Sequence, residues 1–170
     1  MHPSTSRAGY LASVMSVPPA KLPGILNPVH LRKLSRSWIL EDQPAFDMQA
    51  LACDCDFAEA VITCKTDSAI LAGVPFVEAV ARELSVDVEW LCHEGSLMPP
   101  RVAVLRGRAS DVLKMERVAL NVLARCCGIA SVARRVRTKL DSLGWSGMLA
   151  GTRKTTPGFR LAEKYSLLVG

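Results

Sequence analysis

One long run of helical periodicity, from a cap at Ser110 or Asp111 to about Leu143, constrains this chain more than any other feature. Val112, Met115, Ala119, Val122 and Leu123 recur at the 3.6-residue period, so one face must be buried against other elements. Gly144 stands where a helix stop is expected. Ala124, Gly128, Ala130, Ser131 and Ala133 leave room for a close neighbour, and Gly128 equally permits a break into two helices. Such a helix needs a layer to pack on, and the residues before it supply one.

Asn27-Pro28 reads as an N-cap followed by proline in the first turn. Leu31, Leu34, Trp38 and Ile39 then give one apolar face, with Arg32, Lys33 and Arg36 turned away, until Glu41, Asp42 and Pro44 end the helix. Residues 57–65 alternate and are rich in Val, Ile and Thr, which suits a strand, and 68–73 reads as a second short strand. Pro75 opens a helix whose stripe is Val77, Val80, Ala81 and Leu84. Residues 86–92 alternate as a half-buried strand, and 101–107 repeat that pattern. The order α, β, β, α, β, β predicts an α+β open sandwich over residues 27–110, one sheet face covered by helices.

Residues 1–26 contain Ser, Pro and Gly without sustained periodicity and read as a flexible leader rather than a targeting helix. Hydrophobic residues make up 49% of the chain and charged residues 22%, enough for a sizeable core and against general disorder. No apolar run approaches a membrane span. The formal charge of +5 and pI near 9.0 favour anionic partners such as phosphorylated metabolites, carboxylates or nucleic acid. Arg134, Arg135, Arg137 and Lys139 read most simply as a solvated helix face, and no RRM, helix-turn-helix or zinc pattern accompanies them, so nucleic acid is not expected. The six cysteines, at 53, 55, 64, 92, 126 and 127, match no zinc spacing. Without a clear signal peptide a cytoplasmic chain without disulfides is expected, its cysteines acting as small buried apolar residues.

After the long helix, residues 148–151 are apolar, brief and non-alternating, the mark of a parallel strand buried on both faces. TRKTTPG follows, with Pro157-Gly158 as a turn, and residues 159–168 can form another helix. A strand of this type belongs to a larger α/β unit, and a full (β/α)8 barrel needs roughly 200 residues or more. The overall expectation is therefore an α/β chain: an N-terminal α+β open sandwich, then a linking helix and the first elements of a truncated α/β barrel over 111–170.

Two segments carry chemistry: ERVALNVLARCCGIAS, residues 116–131, and GTRKTTPGFRLAEKY, residues 151–165. The second puts Thr152, Arg153 and Lys154 directly after the apolar strand, where a barrel presents its working loops. An arginine there can clamp a carboxylate bidentately, and the adjacent lysine offers a point charge to phosphate. From Arg-Lys alone a solvated basic loop is the better reading. ERVALN, the following R-x-x-G-I-A, and GTRKTTPG with its downstream EKY resemble, in order and spacing, the quinolinate phosphoribosyltransferases. Weaker similarity runs back through Leu40-Glu41-Asp42, Leu71-Ala72-Gly73 and Glu94-Gly95-Ser96, so the resemblance covers roughly residues 28–170.

That resemblance implies an enzyme joining quinolinate to phosphoribosyl pyrophosphate with Mg²⁺, giving nicotinate mononucleotide, CO₂ and pyrophosphate in NAD synthesis. It implies an α/β sandwich paired with an incomplete α/β barrel, in dimers or larger assemblies whose sites are shared between subunits. Arg117 would be lent across the dimer interface, Arg153 would hold a quinolinate carboxylate, and Thr152 and Lys154 would belong to the same substrate-binding loop. Cys127 stands where the family usually has serine, which puts a helix-packing hydroxyl bond in doubt. The family's His-Arg pair, a further lysine and its metal carboxylates have no counterpart here, so no complete catalytic set is expected and this chain alone should be inactive. The alternative is a non-catalytic short form that pairs with full-length subunits.

Overall fold

Asn27 caps the first helix. In the computed structural model, which describes residues 18–43, 45, 46, 53 and 56–170, its side chain accepts from the Val29 amide at 2.9 Å and the His30 amide at 3.4 Å. Helix α1 (Pro28–Asp42) turns Leu31 and Ser35 inward, with Leu34, Trp38 and Ile39 half-buried. Order reaches further back than the sequence suggests. Pro19–Ile25 forms a 3-10 helix, and Leu22 and Leu26 join the core. The flexible-leader expectation is corrected for 18–26, where burial of two leucines offsets the entropy of ordering a short turn. Its remainder, like Pro44 and Cys55, lies outside the described residues.

Three strands form one antiparallel sheet in the order β1-β3-β2, made of β1 (Ala58–Thr63), β2 (Asp87–Trp90) and β3 (Arg101–Gly107). Ala58 pairs with Gly107, and Asp87 with Arg106. On the outer face Arg106 donates to Glu59 at 2.7 Å and Glu89 at 2.6 Å. The expected alternation fails along the middle strand, where Val102, Ala103, Val104 and Leu105 are all buried. Val104 lies in register between Val61 and Glu89, so flanking strands shield it even on the outer face.

The strand expected at 68–73 is absent; only an isolated bridge joins Ile70 to Leu97. Its backbone is satisfied elsewhere. The Ile70 amide donates to Ser131 Oγ at 2.8 Å, Leu71 to the Ser96 carbonyl at 2.9 Å, and Ala72 to Cys127 Sγ at 3.4 Å. Helix α2 (Val74–Glu83) follows with Pro75 in its first turn and Val77, Val80 and Ala81 buried. The observed order before the long helix is thus α, β, α, β, β.

Helix α3 (Ala109–Ser142) is unbroken through Gly128, and Arg108 holds its N-cap position without a side-chain bond. Neither Ser110 nor Asp111 is the cap; both lie inside the first turn, where Asp111 accepts from Lys114 at 3.0 Å. The far end stops at Gly144 (φ 71°). There the Gly144 amide bonds the Asp141 carbonyl and the Trp145 amide the Leu140 carbonyl, a Schellman closure. Met115, Ala119, Val122, Cys126 and Ala130 face the core.

Residues 148–151 form no strand, and Met148 is 54% exposed. A doubly buried parallel strand exists only with hydrogen-bonding neighbours, and no described strand pairs with this one. Helix α4 (Arg160–Val169) closes the described fold. Its Tyr165 meets Phe76 edge-on at 5.4 Å, and Trp38 stacks at a tilt on Phe159 at 5.3 Å. These contacts tie α4 and the turn before it to α1 and α2.

Candidate functional site

The GTRKTTPG segment runs from the end of the 148–151 stretch to the first turn of α4 as an irregular loop. Gly158 (φ 78°) closes its turn, and Thr152 Oγ1 accepts from the Lys154 amide at 3.1 Å, a local side-chain turn. Thr152, Arg153 and Lys154 are all exposed, and the Arg153 and Lys154 side chains engage no other described residue. Arg160 Nε donates to Thr155 Oγ1 at 2.9 Å.

Three further residues hold this loop, all inside the segments quoted above but given no role by sequence. Lys164 Nζ donates to the Thr152 carbonyl at 2.5 Å and the Gly151 carbonyl at 3.3 Å. Glu163, 5% exposed, accepts the Thr156 amide at 3.1 Å and the Thr156 hydroxyl at 2.8 Å. Arg125, projecting from α3, donates to Glu163 through Nη2 at 2.6 Å and Nε at 3.0 Å, and to Thr156 Oγ1 at 3.1 Å. Arg125 and the two Thr156 donors hold the Glu163 carboxyl below its ordinary 4.5. The available sequence signal was an acid in the first turn of a helix following a Pro-Gly turn. An open cleft of about 1150 Å³ borders these contacts, lined by apolar side chains of α3 and α4 and by 148–151, with Arg125 and Lys164 also in its lining.

Arg117 lies elsewhere. It grips Asp42, the last residue of α1, through Nε at 3.0 and 3.2 Å and Nη2 at 2.9 Å. Eight residues separate it from Arg125 on α3, about 12 Å along the axis. The structure therefore brings Thr152, Arg153 and Lys154 together and keeps Arg117 apart from them within one chain.

A second buried carboxylate organises the other side of α3. Glu94 accepts the Gly73 amide at 2.9 Å and the Val74 amide at 3.1 Å, capping α2. Gly73 (φ 104°) admits no side chain: a Cβ would stand 2.9 Å from that of Cys126. Burial pushes the Glu94 carboxyl up, against the lowering effect of these bonds. Tyr165 Oη is buried without a well-formed hydrogen bond, and burial and the Glu94 charge raise its pKa.

The cysteine expectation holds for two positions. Cys126 and Cys127 are buried, which pushes their thiols up to about 12 and about 11. Cys53, Cys64 and Cys92 are only partly buried, a correction that follows from their place at strand ends and loops. The bond placed in doubt at Cys127 persists through sulfur: Sγ donates to the Ala72 carbonyl and accepts its amide, both at 3.4 Å. The solvated basic face is corrected at Arg134, which bonds the Gly170, Val169 and Gly95 carbonyls at 2.8, 3.2 and 3.3 Å. Among the described residues no group of three or more His, Cys, Asp or Glu could hold a metal. No described helix is long and apolar enough to cross a membrane.

Fold and site together define a mixed α/β protein that presents a latched cationic loop suited to anionic ligands. The family model described as quinolinate phosphoribosyl transferase, N-terminal domain, matches residues 48–127, and that for the C-terminal domain matches 129–170. The chain belongs to the quinolinate phosphoribosyltransferase family. It is 48% identical to nicotinate-nucleotide pyrophosphorylase [carboxylating] of Rattus norvegicus, over 89% of this chain and 51% of that protein. Identity to the Homo sapiens protein of the same name is also 48%, over 86% and 50%. The solved nicotinate-nucleotide pyrophosphorylase of Francisella tularensis superposes with a TM-score of 0.76 at 31% identity, over 85% of this chain and 52% of that one. The chain spans about half the length of the relatives it matches.

Proposed function

We propose that this chain supplies the sandwich layer and the carboxylate-clamping loop of an enzyme that joins quinolinate to phosphoribosyl pyrophosphate. The products are nicotinate mononucleotide, CO₂ and pyrophosphate, on the route to NAD in the cytoplasm. The observation that carries this reading is the TRKTTPG loop, held at both ends with Arg153 and Lys154 unengaged between. Arg153 clamps one quinolinate carboxylate, Lys154 and Thr152 bind beside it, and together they offset the repulsion between two anionic substrates and orient the ring nitrogen for transfer. Arg117 serves a neighbouring subunit's site, a reading supported by its exposure and its distance from the loop of its own chain. Homo-oligomerisation fits the apolar side chains left exposed on α3 and beyond it, among them Leu120, Val132, Val136 and Met148. The residues divide as sandwich, 27–110, and barrel portion with its linking helix, 111–170. Mg²⁺ belongs to the family reaction, and its ligands are assigned outside the described residues.

The test is a chimera in which residues 1–170 are joined to the remaining half of the rat relative. Quinolinate-dependent nicotinate mononucleotide is expected, with Arg153→Met lowering kcat/KM about 100-fold. A folded, assembled chimera that forms no product would sink the assignment.

A further inference from the structure

The two consecutive residues Glu163 and Lys164, near the start of α4, reach opposite ends of one short stretch. Lys164 holds the carbonyls of Gly151 and Thr152, and Glu163 holds Thr156 by amide and hydroxyl. Between those points lie only Arg153, Lys154 and Thr155. Their freedom is set by where α4 stands, and α4 is seated by Tyr165 and Ser166, both buried. We propose that Glu163, oriented by Arg125 and assisted by Lys164, is a positioning residue that latches the 152–156 loop so that Arg153 and Lys154 meet their ligand in one arrangement. This rests on the reading of the loop as the substrate-binding segment.

Electrostatics gives the reason for a latch. Glu163 is the only acid in residues 151–164, against Arg153, Lys154, Arg160 and Lys164. An untethered loop of such composition would swing its cations apart into water, and binding a dianion would then have to order it. A buried carboxylate that accepts two bonds from Thr156 spends that ordering during folding. Arg125 compensates the buried charge and adds a bond of its own to Thr156 Oγ1 at 3.1 Å. A simple surface ion pair would leave Glu163 exposed and the loop's backbone untouched; here the carboxylate is buried and one of its oxygens holds a loop amide.

The experiment uses the whole 170-residue chain, ¹⁵N-labelled, as wild type and as Glu163→Gln, Thr156→Val and Arg125→Lys. Thr156→Val cuts only the hydroxyl bonds and leaves the buried pair intact, so it reads the latch even where Glu163→Gln disturbs folding. Trypsin cleavage after Arg153 and Lys154 is expected to speed up about tenfold in both variants, with the thermal midpoint close to wild type in Thr156→Val. The Thr156 amide resonance should inflect below pH 4.5 in wild type, as Glu163 takes a proton, and stay flat in Glu163→Gln. Quinolinate, titrated as the probe, should bind both variants about tenfold more weakly although Arg153 and Lys154 are unaltered, with Arg125→Lys in between. Wild-type cleavage rates in both Glu163→Gln and Thr156→Val would overturn the latch. Faster cleavage with unchanged quinolinate affinity would overturn its positioning role. Faster cleavage with no quinolinate binding by wild type would uphold the latch and refute the substrate reading instead.

Discussion

Glu94 and Glu163 are both nearly buried, at 9% and 5% exposure, yet their surroundings drive them in opposite directions. Glu94 accepts the two amides at the start of α2 beside the Tyr165 hydroxyl, with no cation among its described partners, and burial raises its pKa. Glu163 meets a guanidinium as well as a loop amide and hydroxyl, and its pKa falls. Desolvation acts on both; a full counter-charge acts on one. The carboxylate inside the sandwich works as a backbone cap, while the one beneath the basic loop works as an electrostatic anchor.

The sharpest way to break the Glu94 side is Gly73→Ala. It forces a side chain into a left-handed position against Cys126 and displaces the amide that Glu94 receives. A loss of about 3 kcal/mol is expected in urea denaturation. Removing the carboxylates themselves sharpens the contrast through pH. Glu94, raised above 4.5, contributes stability that is full below that value and is lost as pH rises through its folded pKa. Glu163, depressed below 4.5, contributes stability that is present above that value and is lost as pH falls through its folded pKa. Glu94→Gln should therefore flatten the decline on the neutral side of 4.5, and Glu163→Gln the decline on the acid side. Urea midpoints measured from pH 3.5 to 7 would show the two variants crossing the wild-type curve on opposite sides; parallel curves would erase the distinction. Cys127→Ser is the mildest probe. An oxygen replaces sulfur at the Ala72 contacts, trading apolar burial for stronger bonds, and a change below about 1 kcal/mol is expected in the same assay.

Elements with a local code were legible. Asn27-Pro28 opens α1, and Gly144 closes α3. The strand expected at 101–107 coincides with β3 (Arg101–Gly107). Caps and the 3.6 and 2.0 periods express forces acting within a few residues of each other. Residues 68–73 and 148–151 were misread because an apolar run says only that a segment is buried or sticky, whereas a strand requires a partner. For 68–73 the partners turned out to be Ser131, Cys127 and the Ser96 carbonyl. For 148–151 no described strand takes that place.

Of the candidate site, the sequence by itself determined the cationic loop and the presence of Arg117 on a helix, because a motif places residues by chemical type and order. Only the tertiary structure decided that Glu163 is the loop's anchor, that Arg125 faces it from 38 positions earlier in the chain, and that Arg117 pairs with Asp42 of the same chain. It also decided that two glutamates of equal standing in sequence would differ in charge preference. The physical reason is the same throughout: desolvation and ion pairing depend on what the packed chain brings within about 3 Å, and that neighbourhood is written in no local stretch of residues.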